Sequence, residues 1–134
     1  MSDTRLAALD TNSLVPALLP EEGNPAKMWK RFLTGALSLV FNVDIFEEYQ
    51  DVLHRSRLRI PPEDTETVLA AIRQHGEIVE SLPNTAAMVD EDDSVFYDTA
   101  KSARAYLITG NMKHYPQEPF ILTPAEFLKL YPQL

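Results

Sequence analysis

The sequence predicts an α/β fold, a central parallel sheet with helices on both faces, in a single domain over residues 1–134. Short, wholly apolar runs alternate along the chain with segments of helical period, which is the pattern of a parallel sheet covered on both sides. Helix start and stop signals punctuate the alternation. Asp10, Glu48, Asp93 and Asn111 each fall where a strand or an adjoining helix should end, and in an open α/β sheet such positions converge on one crevice.

In chain order, Leu6 to Leu9 is a buried strand, and Asp10-Thr11-Asn12-Ser13 turns into a helix starting near Ser13. Asn24-Pro25 reads as an N-cap followed by a first-turn proline, with the helix running to Leu33 and stopping at Gly35. Ala36 to Phe41 is a second strand. Asn42 caps a helix over roughly Val43 to Ser56, whose apolar stripe is Ile45, Phe46, Tyr49, Val52 and Leu53. At about 100° per residue, Glu47 lies opposite that stripe and Glu48 on its flank, so Glu48 is the glutamate that can look inward.

Pro61-Pro62 opens a helix carrying Val68, Leu69 and Ile72 to a Gly76 stop. Glu77 to Leu82 is a weaker strand. A helix beginning near Asp93, with Asp93 as N-cap, places Phe96, Ala100 and Ala103 on the face of Asp93 and turns Asp98 away. Tyr106 to Thr109 and Phe120 to Leu122 are the last strands, and Thr123-Pro124-Ala125-Glu126 is a capping box.

Composition narrows the function. No apolar run approaches the roughly 18 residues that cross a bilayer, and the N-terminal residues lack the basic-then-apolar pattern of a signal peptide, so no membrane partner and a cytoplasmic location are expected. Cysteine is absent, which removes disulfides, thiolate zinc sites and cysteine nucleophiles. The net charge of −8 has the wrong sign for holding nucleic acid by bulk electrostatics. Much of it sits in Asp90-Glu91-Asp92-Asp93, where a solvated loop is the simplest role for Asp90, Glu91 and Asp92, with Asp92 a reserve ligand. Carboxylates gathered in one crevice need a cation or protons to neutralise them, and hard oxygen ligands suit Mg²⁺ or Mn²⁺.

Several stretches together resemble a PIN domain of the branch described as the toxin of a bacterial toxin–antitoxin pair. They are Leu9-Asp10-Thr11-Asn12, Ile45 to Leu53, Asp90 to Ala100, Ala105 to Asn111 and Ile121 to Leu128. Order and spacing over nearly the whole chain carry the likeness, since no single motif is specific. The resemblance implies a Mg²⁺- or Mn²⁺-dependent ribonuclease acting on single-stranded or loop RNA, leaving 5′-phosphate and 3′-hydroxyl ends. Asp10, Glu48 and Asp93 would be the metal ligands and catalytic residues. It also implies a cognate antitoxin presenting a basic or aromatic segment to the acidic cleft, and it admits a homodimer.

The family's fourth acidic position falls on Asn111, a neutral amide, which leaves open a catalytically silent PIN-like module that binds nucleic acid or protein. Asn12, Thr109, Asn111 and Lys113 are the expected supporting and substrate-contacting residues, with His114 also near an RNA backbone. The basic run of His54, Arg55, Arg57 and Arg59 is either a solvated helix end or a phosphate contact. Asp10-Thr11-Asn12 offers no second aspartate two residues on, which speaks against an aspartyl-nucleophile phosphatase and a phosphorylatable receiver alike.

Overall fold

The computed structural model describes residues 5–18, 23–55, 58–80 and 93–132. Within them the apolar runs form β1 (Arg5–Leu9), β2 (Leu37–Phe41), β3 (Glu77–Ile78), β4 (Tyr106–Ile108) and β5 (Ile121–Leu122). All neighbours pair in parallel, in the order β3-β2-β1-β4-β5. The helices between them are α1 (Thr11–Leu18), α2 (Asn24–Leu33), α3 (Val43–Leu53), α4 (Pro62–His75), α5 (Ser94–Ala103) and α6 (Pro124–Leu130).

The central strand explains itself physically. Ala7, Ala8 and Leu9 of β1 are fully buried, as a strand with helices over both faces must be. The alanines leave room for α5, which packs across β1, β2 and β4 through the equally buried Phe96 and Ala100. On the other side, α2 rests on β2, α6 and α1. The chain leaves β1 for β2 and β3, then returns to β4 on the opposite side of β1. The carboxyl ends of β1 and β4 therefore flank the point where strand order reverses, the usual crevice of such sheets.

Local signals hold α3 in phase. The Asn42 side chain accepts from the Ile45 N–H at 3.0 Å and donates to Thr99 Oγ1 at 2.7 Å, which caps α3 and ties it to α5. The buried Tyr49 hydroxyl donates to the Leu9 carbonyl at the end of β1. That bond fixes the face of α3 turned to β1, with Ile45, Tyr49 and Leu53 buried, Glu48 half-buried and Glu47 exposed. Glu47→Ala is therefore expected to change stability by under about 0.5 kcal/mol in urea denaturation, as at other surface positions. The Thr123–Glu126 capping box is present in both directions at the start of α6.

Some expected boundaries move. Asn24 is not the N-cap of α2: Gly23 holds that position in extended backbone, and Asn24 is already helical ahead of Pro25. A proline is tolerated at any first-turn position, because the N–H groups there have no intrahelical partner. Helix α1 starts at Thr11, two residues earlier than expected, with the Asp10 carbonyl accepting from Ser13 and Leu14 at 3.0 Å each. Helix α3 ends at Leu53, short of Ser56, with His54 as its C-cap. Of the weak strand Glu77 to Leu82, only the exposed edge pair Glu77–Ile78 is strand, and Ser81 and Leu82 lie outside the described residues. So do Arg57, Asp90, Glu91 and Asp92. No described helix is long and apolar enough to cross a membrane.

Candidate metal centre

Asp10 follows the last residue of β1, and the fold buries it to 1% exposure. Its carboxylate accepts from Thr109 Oγ1 at 2.8 Å, just past β4, and from the Tyr115 hydroxyl at 3.0 Å. The Asn12 amide, in the orientation that satisfies both groups, turns its nitrogen to the same carboxylate. These donors do not cancel the cost of burial. Desolvation, opposed by the Thr109 and Tyr115 bonds and reinforced by the charge of Asp93, raises the Asp10 carboxyl from 3.8 to about 6. A buried carboxylate held charged at such cost is a natural place for a cation.

Glu48 and Asp93 share a cleft of about 430 Å³ with Asp10, lined also by Thr11, Asn12, Val15, Pro16, Val52, Arg55 and Leu58. Thr11 Oγ1 donates to Glu48 Oε2 at 2.6 Å, linking α1 to α3. Asp93 occupies the N-cap position of α5, yet its side chain makes no cap bond. It meets His114 Nδ1 at 2.9 Å instead. The electrostatics record the convergence of the three acids: the Tyr115 phenol is driven far above its ordinary range by burial first, then by Asp10, Asp93 and Glu48.

Thr109, with no exposure, holds Asp10 and also accepts from the Asn111 backbone N–H at 3.0 Å. Asn111 is engaged with His114 and does not line the cleft. Lys113 is exposed on the 3₁₀ turn Met112–His114. Of the basic run, Arg55 reaches the cleft while pairing with Asp51 at 3.1 Å, and His54 faces Glu66 at 3.5 Å. Sequence reasoning missed Thr11, Tyr115 and the part taken by His114. The i, i+3 spacing of Asn111 and His114 was the one available signal, since it stacks side chains on a 3₁₀ turn.

The donor set fits a hard divalent ion in kind: oxygen atoms only, three of them anionic groups, one with its charge disfavoured by burial. Among the described residues, no three His, Asp or Glu groups stand close enough to cage an ion as they are. Each of the three carboxylates has a hydroxyl or imidazole partner while lining the same cleft.

A family model described as the PIN domain matches residues 7–113. The chain belongs to the PIN-domain family. A solved structure similar to this PIN domain is VapBC2 from Rickettsia felis bound to a DNA fragment from its promoter, with a TM-score of 0.58 and 15% identity over 88% of this chain and 96% of that one. That likeness is one of fold. No curated protein matches the sequence.

Proposed function

We propose that the protein is a divalent-metal-dependent endoribonuclease acting as the toxin of a toxin–antitoxin pair. The observation that carries this reading is the nearly inaccessible carboxylate of Asp10 at the switch point of the sheet, with Glu48 and Asp93 in the same cleft. A Mg²⁺ or Mn²⁺ ion bound there would activate water and offset charge on the phosphate.

The chain's own residues prepare that chemistry. Thr109, Tyr115 and Asn12 fix the direction of the Asp10 oxygens, and Thr11 fixes Glu48. Val15, Pro16, Val52 and Leu58 give the cleft an apolar wall, and Arg55 supplies a cation that can meet an RNA phosphate. The net charge of −8 suits an antitoxin bringing a basic segment better than it suits unaided affinity for RNA.

The test is incubation of the purified protein with end-labelled single-stranded RNA, with Mg²⁺, with Mn²⁺ and with chelator. Cleavage that needs the ion and leaves 3′-hydroxyl ends is the expected result. Mn²⁺ binding without cleavage of any RNA in a varied pool would overturn the nuclease reading in favour of a silent binding module.

A further inference from the structure

The loop after β4 does more than end a strand. Thr109 and Tyr115 hold Asp10, while between them His114 meets Asp93 and Asn111 meets His114. His114 Nδ1 lies 2.9 Å from Asp93 Oδ2, and its Nε2 lies 3.0 Å from Asn111 Nδ2. An amide nitrogen only donates, so Nε2 accepts and the ring proton sits on Nδ1, aimed at Asp93. Turning the Asn111 amide over would make Nε2 a donor as well and still leave the Nδ1 proton on Asp93. The backbone supports the arrangement, with the His114 N–H donating to the Asn111 carbonyl at 3.0 Å.

We propose that His114, oriented by Asn111, is a positioning residue that aims the Asp93 carboxylate at the metal, so that the single segment 109–115 sets two of the three ligands at once. This rests on the reading of Asp10, Glu48 and Asp93 as the metal ligands. The pair adds no negative charge to a crevice already crowded with carboxylates. Asp93 makes no side-chain cap bond at the head of α5, and its Oδ2 meets the imidazole. Partners behind ligating groups of this kind change metal affinity by roughly 10- to 100-fold when removed.

Two amide substitutions separate positioning from packing. His114→Asn keeps an N–H near the place of Nδ1, and His114→Gln keeps one near Nε2 only. By Mn²⁺ titration, His114→Asn is expected to bind close to wild type, and His114→Gln to bind at least about tenfold more weakly, with both variants folded by circular dichroism. Long-range ¹H–¹⁵N correlation on the metal-free wild type should show His114 protonated at Nδ1, and this measurement requires no variant. Equal Mn²⁺ affinity in His114→Gln and wild type, or an imidazole protonated at Nε2 alone, would overturn the proposal. Asp93→Asn run beside them distinguishes the two levels. If it too leaves Mn²⁺ affinity unchanged, the ligand assignment itself has failed; if it alone weakens binding, only the role of His114 has.

Discussion

Asp10→Asn is expected to make the metal-free protein more stable at neutral pH while removing the proposed nuclease activity. The carboxyl titrates near 3.8 when unfolded and near 6 in the fold, with burial the leading cause. Between those values the native state binds the proton more tightly than the unfolded chain, so the contribution of Asp10 to stability falls as pH rises through the window and is fully lost above 6. At 1.36 kcal/mol per unit, the cost at pH 7 is about 3 kcal/mol as an upper bound. Asparagine has the same shape and carries no charge, and Thr109 and Tyr115 can rotate their hydroxyls to suit it.

The variant should therefore exceed wild type in chelator at pH 7.5, and the gap should close below about pH 3, where Asp10 is protonated in both states. Urea denaturation at the two pH values reads this directly. RNA cleavage should drop by at least roughly 100-fold, more than loss of a residue behind a ligand would cause. A variant less stable than wild type at pH 7.5 would mean that the hydrogen bonds to Asp10 outweigh its burial.

Gly76→Ala is expected to cost roughly 2–3 kcal/mol, from overpacking. Its backbone, at φ −76, is one alanine adopts freely. The obstacle is space: an added Cβ would lie 2.5 Å from the Ile72 carbonyl oxygen, 2.9 Å from that of Leu39 and 2.9 Å from the Phe41 ring. Two of these are backbone atoms, one in α4 and one in β2, so relief requires moving α4 off the sheet. A lowered urea midpoint at unchanged slope is the expected signature. A cost below 0.5 kcal/mol, the ordinary surface value, would show that the α4–β3 turn relaxes freely.

Gly76 also shows what the sequence conveys and what it withholds. As the residue ending an apolar helical pattern it was legible as a stop, but its closeness to Leu39, 37 positions earlier, was not. The same division holds in the site. Asp10 at the end of a buried run and Glu48 on the flank of the Ile45–Tyr49–Val52 stripe follow from periods of the chain alone, as do the Asn42 and Thr123 caps. Thr11 to Glu48, Tyr115 to Asp10 and His114 to Asp93 are bonds across 37, 105 and 21 residues. They arise only when the sheet brings separate loops to one edge. Asp93 stands at the N-cap position that its place in the chain predicts, but its backbone there is αR and its side chain makes no cap bond, meeting a distant imidazole that no local pattern announces.

The central claim is that three carboxylates, from the end of β1, the flank of α3 and the head of α5, hold one divalent ion. Mn²⁺ binding to wild type, Asp10→Asn, Glu48→Gln and Asp93→Asn, followed by electron paramagnetic resonance of the free ion, tests it most directly. The account predicts that all four proteins fold and that each variant binds Mn²⁺ at least about tenfold more weakly than wild type. Glu48→Gln and Asp93→Asn proteins that bind Mn²⁺ as wild type does would contradict it.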